Sequence, residues 1–201
     1  IDGEKPIIYR KRRLVMFGEY IPFEKMLPFM KYLSPIGGSF SSGKRPVQFP
    51  LLGNKSKMAP IICFEDSFPH GVREHVLPET DLLVNLTNDG WFGKGPAQWQ
   101  HAANAVFRTI ENGVPMVRSC NNGLSCWIDS FGQVRRFFGE ESGDIYGAGF
   151  VIFEIPILQS RNSTFYNKYG DIFGWFCLVL SSVVVVMSFV KRRLHMEDEI
   201  R

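Results

Sequence analysis

Residues 59–93 read APIICFEDSFPHGVREHVLPETDLLVNLTNDGWFG. Ala59 to Phe64 is apolar and rich in isoleucine, which reads as a buried strand. His70 to Leu77 reads as a short helix and Asp81 to Leu86 as a second buried strand. Working outward, Pro96 to Asn112 carries the strongest helical signal. A proline stands at its start, Gly113 just past its end, and Trp99, Ala102, Ala103, Val106, Phe107 and Ile110 recur on one face. Val114 to Ser119 predicts a third strand. Ser125 to Asp129 and Val134 to Phe138 flank a Ser-Phe-Gly-Gln turn and read as a hairpin. Strands alternating with helices predict a layered α/β domain.

The 201 residues hold 23 Lys and Arg against 20 Asp and Glu, a net +3 too balanced for a protein that lives by gripping nucleic acid. With 45% hydrophobic and 21% charged residues, an intrinsically disordered chain is excluded. Cys63, Cys120, Cys126 and Cys177 show neither a C-x-x-C pair nor a metal-finger spacing. From Ile172 to Val190 no charge occurs, a length that suits a bilayer core of roughly 30 Å. Lys191-Arg192-Arg193 follows at once, with Lys168 and Asp171 before it, which predicts a cytoplasmic tail. The opening IDGEKPIIYRKRR has charge where a signal peptide needs an apolar core, and no initiator Met. The chain is therefore expected to be a piece of a longer one. Between Ile21 and Pro50 prolines and a GGSFSSG tract predict irregular structure. Phe23, Met26, Leu27, Met30 and Leu33 recur there at helical spacing, fit either to pack on the core or to meet lipid.

Several residues invite a chemical reading. Cys63 ends an apolar strand just before a helix, where a thiol is exposed at the sheet rim and faces helix amides; the same position suits a small core residue. Lys11 lies in the run Arg10-Lys11-Arg12-Arg13, ordinarily a solvated or headgroup-facing charge. Glu19 follows Gly18 at the end of the apolar Leu14-Val15-Met16-Phe17, read as a strand. Asn85 to Gly93 is dense in turn formers, so Asn88 and Asp89 fit simple turn chemistry, while Trp91 and Phe92 fit a pocket wall or an interface. His70, His75, His101 and His195 form no metal-binding spacing, and His101 reads as structural.

Lys11 with LVMFGEYIPF, Cys63 in ICFED, then LTNDGWFG and RSCNNGLS, in that order, resemble the carbon-nitrogen hydrolase (nitrilase) superfamily. Within it they resemble the apolipoprotein N-acyltransferases, which the closing apolar run also fits. The resemblance covers about Tyr9 to Val190. It implies a nitrilase-type α-β-β-α sandwich over residues 1–165, truncated at its amino end. A transmembrane helix over 172–190 and a charged cytoplasmic tail over 191–201 would complete the chain.

The superfamily uses a Glu-Lys-Cys triad. Cys63 matches the nucleophile, Lys11 the lysine that stabilises the oxyanion, and Glu19 a further acidic residue of the active site. Phe64 and Glu65 match the two positions after the nucleophile, Glu65 joining the catalytic set, and Asn88 and Trp91 match the loop beside the acyl pocket. Met16 stands where the family usually has proline and Gly90 where it has a small residue such as alanine; neither removes a chemical group. The implied activity is transfer of a fatty acyl chain from a phospholipid, through a cysteine thioester, to the amine of a lipoprotein's diacylglyceryl-cysteine. The implied place is the bacterial inner membrane, with the catalytic domain in the periplasm. No metal or organic cofactor is implied. The general-base glutamate of the triad lies upstream of the lysine in the family, and Asp2 and Glu4 lie too close to Lys11 to match it. The chain alone is therefore expected to be inactive. A membrane-tethered amidase, and a non-catalytic partial domain that binds lipid or a partner, stand as alternatives.

Overall fold

The computed structural model describes residues 5–33, 36, 38–51, 53, 55–157 and 161–199; the side chains of residues 33 and 193–199 fall outside this description. Strands β1 (Phe49–Leu51), β2 (Ser56–Ile62), β3 (Leu82–Asn88), β4 (Met116–Asn121), β5 (Cys126–Ile128) and β6 (Val134–Phe137) form one mixed sheet in sequence order. β2, β3 and β4 are parallel and the remaining pairs antiparallel. Parallel neighbours need a crossover, and α1 (Pro69–His75) and α2 (Ala97–Asn112) lie in the two crossovers. The α/β class expected from the sequence is the class observed.

Register sets the core. Ala59 pairs with Leu83, Leu83 with Met116, and Met116 with Ile128, so one face of the sheet collects these side chains with Ile61 and Cys126. Val72 and Val76 from α1 and Ala102 and Ala105 from α2 complete the same buried cluster. Each large apolar side chain buried this way contributes roughly 1.5–3 kcal/mol. On the alternate positions Val84 and Val117 are half-buried, and Leu86 and Ser119 are exposed.

Three expectations are corrected. The apolar face read for α2 is not the face that goes down: Trp99, Phe107 and Ile110 stay about half exposed, whereas Gln98, His101, Arg108 and Asn112 are buried beside Ala102 and Ala105. Arg108 and His101 reach the turn after β2, and that polar attachment fixes the helix's rotation. Leu14 to Tyr20 is a tight turn rather than a strand. The amide of Glu19 donates to the Val15 carbonyl at 2.7 Å, and Phe17 takes a left-handed φ of +60°. Finally, the helix expected over Phe23 to Leu33 is a turn at Phe23–Leu27 followed by a 3-10 helix, Pro28–Leu33. Phe23, Met26 and Leu27 there are exposed and Met30 is half-buried, so this segment leaves most of its apolar surface off the core.

The chain divides into two compact units, Ile1–Asn167 and Lys168–Arg201. The second is built on α4 (Ile172–Glu199), which continues past Val190, and the short α3 (Phe165–Tyr169) bridges the division. Ile172–Arg192 holds an 18-residue stretch of mean hydropathy 2.3, none of it buried, and is long and apolar enough to cross a membrane. Its Ser182 and Ser188 hydroxyls donate to the Leu178 and Val184 carbonyls, the arrangement an apolar solvent demands.

Candidate active site

Cys63 is the first residue after β2 and opens the 3-10 turn Cys63–Ser67. Its φ is +52°, a region that side-chain-bearing residues rarely occupy and that costs about 1–3 kcal/mol where surroundings enforce it. The enforcement is visible. Glu65, two residues on, accepts the Ile62 amide at 2.7 Å, and the Asn85 side-chain amide reaches toward the Cys63 carbonyl at 3.4 Å. The turn is pinned on both sides of the thiol.

Glu65 does more than brace its own turn. It is 3% exposed, and its oxygens also accept the Arg12 and Arg13 amides, at 2.6 and 3.1 Å, and the Tyr9 hydroxyl at 2.8 Å. It therefore ties the Lys11 segment to the cysteine turn. Expected among the catalytic groups, it stands behind the wall of the cavity described next rather than on it. Burial and the Glu65 charge together raise the Tyr9 phenol far above its ordinary value, so Tyr9 serves as a fixed donor. Burial also pushes the neighbouring His75 down to about 4, leaving it neutral.

Lys11 and Glu19 meet across the tight turn: Nζ donates to Oε1 at 2.8 Å, and the other Glu19 oxygen accepts the Val15 amide at 2.8 Å. Only 10% of the Lys11 side chain is exposed, so this ion pair is much less screened than a surface pair. Lys11, Glu19 and Cys63 line one cavity of about 530 Å³. Its other walls include Val15, Phe64, Trp91, Phe92 and Ala97, with Asn88, Gln100, His101 and Asn104 as polar points. A few convergent polar groups in an apolar cleft of this size are the usual form of a small-molecule or acyl site.

Asn88 and Trp91, expected in a loop beside an acyl pocket, line the same cavity as Cys63. The Asn88 side-chain oxygen Oδ1 accepts the Gly90 amide and the Asn121 side-chain amide, which caps the 3-10 turn Asp89–Phe92. Trp91 is 74% exposed, and Phe64 is a partly exposed edge partner of Phe68.

Beneath the thiol lies a charge cluster that the sequence reading did not assemble. Asp66, Asp89, His101 and Arg118 are all buried. Arg118 reaches Asp66 at 2.5 Å and Asp89 at 3.5 Å, and Asn85 and Thr87 add bonds to Asp66 and Asp89 at 2.7 and 3.1 Å. His101 bonds Asp66 through Nε2 at 2.9 Å and Asp89 through Nδ1 at 2.7 Å. Burial alone would lower the imidazole pKa, but the two carboxylates outweigh it and raise His101 to about 9. Burial likewise opposes ionisation of Asp89, yet His101 and Arg118 hold its carboxyl below the ordinary range. Two anions and two cations balance. The available signals were Asn85 and Arg118 inside otherwise apolar strands and the buried polar stripe of α2.

Two further thiols, Cys120 and Cys126, lie within the domain. Burial and the nearby Asp89 charge push Cys120 up to about 12, and burial pushes Cys126 up to about 11. Both stay protonated near neutrality. Among the described residues no group of His, Cys, Asp and Glu is arranged to hold a metal.

The carbon-nitrogen hydrolase family matches residues 2–153. The chain is 37% identical over 188 residues to the apolipoprotein N-acyltransferase of Geobacter metallireducens, covering 92% of this chain and 34% of that protein. It is 30% identical over 197 residues to apolipoprotein N-acyltransferase 1 of Treponema denticola, covering 96% and 35%. Among solved structures, an amidase of the nitrilase superfamily from Nesterenkonia AN1 is similar at a TM-score of 0.46 and 18% identity, over 65% of this chain and 45% of that one. The chain thus spans about a third of the length of the curated relatives it matches. With the family's domain matched over most of its length, the chain belongs to the carbon-nitrogen hydrolase family.

Proposed function

We propose that this chain carries the nucleophile of an apolipoprotein N-acyltransferase. In this reading a fatty acyl chain passes from a phospholipid to Cys63 and then to the N-terminal amine of a lipoprotein's diacylglyceryl-cysteine. The observation that supports it best is that Cys63, Lys11 and Glu19 open into one cavity whose remaining walls are largely apolar and aromatic. The names of the relatives support its coarser part, N-acylation of lipoproteins.

The chemistry proceeds in two balanced halves. The Cys63 thiolate attacks the ester carbonyl, the C–O bond breaks, and the lysophospholipid leaves as an alcohol carrying the proton first taken from the thiol. The acceptor amine then attacks the thioester. A C–N bond forms, the C–S bond breaks, and the amine's proton passes to the base. Lys11 stabilises the oxyanion in both halves, an effect worth about 2.7–4 kcal/mol for a preorganised donor. Glu19 holds Lys11 in place. Glu65 is a positioning residue, Phe64 and Trp91 receive the acyl chain, and Asn88 shapes their loop.

The oxygens of Glu19 and Glu65 are already committed to Lys11 and to backbone amides, so in this reading another carboxylate, upstream of Lys11, serves as base. Residues 1–201 expressed alone are then expected to turn over slower than the whole protein by about 10² to 10⁴. The reading needs no metal or organic cofactor. Residues 1–165 would act in the periplasm, 172–190 would cross the inner membrane, and the basic residues 191–193 would hold the tail 191–201 in the cytoplasm. The exposed Phe23, Met26 and Leu27 would rest on lipid.

Incubating the whole membrane-embedded protein with phospholipid vesicles and a diacylglyceryl lipopeptide tests the proposal. N-acylated peptide and lysophospholipid are expected in equal amounts. Free fatty acid without acylated peptide would identify an amidase-like hydrolase instead and overturn the transferase.

A further inference from the structure

We propose that His101 is a positioning residue that clasps the cysteine turn (Cys63–Ser67) to the aromatic loop (Asp89–Phe92), bonding one carboxylate from each. The inference rests on the reading of Cys63 as the nucleophile. Asp66 is three residues beyond Cys63, and Asp89 is two residues before Trp91. His101 reaches both at once, at 2.9 and 2.7 Å, from a helix that also lines the cavity. Its two partners are carboxylate oxygens, which accept, so both ring nitrogens must donate and the ring is an imidazolium. Arg118 spans the same two carboxylates from β4, but its contact to Asp89 is long, 3.5 Å, which leaves His101 as the close link.

The groups facing the ring define what its proton does. Asp66 comes from the cysteine turn, Asp89 from the aromatic loop and Arg118 from β4, while the Phe92 ring stands edge-on at 6.1 Å. The Cys120 thiol, held protonated, lies against Asp89, and Arg108 on the same helix donates to the Asp66 backbone carbonyl. If the ring loses one proton, a nitrogen lone pair faces a carboxylate and one of the two links becomes repulsive. The close link between the turn and the loop is then lost, and only the longer span through Arg118 still joins the two carboxylates. The carboxylates hold the ring charged up to about pH 9, so the clasp is closed at neutral pH and opens above that value.

Two measurements on the whole protein test this. Hydrogen exchange, corrected for intrinsic rate, should show residues 63–67 and 89–92 losing protection together above about pH 9. In His101→Gln they should lack it at every pH. This arm needs no acyl transfer, so it stands apart from the functional reading. In the transfer assay, His101→Gln should lower kcat by about 10- to 100-fold, as misplacement of a reacting group does, with KM within about twofold and the wild-type limb near pH 9 gone. Asp89→Asn removes one carboxylate and should move that limb to lower pH, which keeps the test alive if His101→Gln folds poorly. Independent exchange of the two segments, a limb unmoved in Asp89→Asn, or a variant that loses only thermal stability while kcat per folded molecule is unchanged, each overturns the clasp. Coupled exchange without acyl transfer in the wild type would leave the clasp standing and overturn the proposed function.

Discussion

The floor and the mouth of the cysteine cavity are built on opposite principles. The floor is the charged, buried and paired cluster of Asp66, Asp89, His101 and Arg118, of which His101 alone lines the cavity and the other three stand behind it. The mouth, with Trp91 at 74% exposure and nearby apolar side chains such as Phe92, presents apolar surface to whatever fills the cavity. Buried pairs rarely add net stability over an apolar core, yet breaking one is costly, so they fix geometry. Large exposed aromatics do the reverse: they contribute little to the fold and gain free energy when apolar matter covers them. Rigid chemistry below and adaptable binding above is the division of labour that the proposed acyl transfer would require, a fatty chain accepted while one thiol is held still.

That contrast can be broken at the floor first. Arg118→Met leaves two buried carboxylates facing one imidazolium and should destabilise the domain by about 3–5 kcal/mol, read by denaturant titration. A change under 1 kcal/mol would mean that the floor is not the rigid half. Next in size is Lys11→Met, which should lower the acylation rate of Cys63 by about 10²–10³ per folded molecule, measured by single-turnover kinetics. An unchanged rate would move the oxyanion donor elsewhere.

The floor also predicts a pH dependence. His101 has a raised folded value of about 9 against an ordinary 6.5, so its contribution is full below 6.5 and lost as pH rises through 9. It amounts to at most about 3 kcal/mol. Stability should fall between pH 7 and 10 in the wild type and much less in His101→Gln; parallel curves would contradict the assignment. The smallest effect belongs to the exposed apolar segment Phe23 to Leu27, which lies outside the cavity's lining. Met26→Ser, at a side chain 77% exposed, should leave stability intact and raise the phospholipid concentration needed for half-maximal rate roughly 3- to 10-fold. Loss of stability instead would mean that Met26 packs on the domain.

The same contrast explains what could be read from the sequence. Strand and helix alternation from Ala59 to Phe138 is a local, periodic signal, and the sheet follows it with boundaries shifted by one to three residues. Lys11, Glu19, Cys63, Phe64, Asn88 and Trp91 were legible because their motifs are contiguous, and the fold gathers these six at one cavity. The floor was not legible because its members come from four separated elements, and each alone has an ordinary explanation: Asp89 as a turn former, His101 as a core residue, Arg118 as a strand charge. Rotation of α2 was misread for the same reason. Its apolar side chains are periodic, but its polar stripe is held by Asp66, which lies 35 residues from His101 and 42 from Arg108 in sequence. The left-handed backbone at Cys63 has no residue signature at all, since the strain is imposed by Glu65 and Asn85.

The central claim, that Cys63 carries the acyl group, is open to one direct measurement. The whole protein is exposed to phospholipid without acceptor, and its intact mass is determined with peptide mapping. Cys126 and Cys120, held as thiols up to about 11 and 12, should remain unmodified near neutral pH. The account predicts one acyl adduct, on Cys63, released by hydroxylamine as a thioester is and absent from Cys63→Ser. An adduct that persists in Cys63→Ser, or that maps to Cys120, would contradict it.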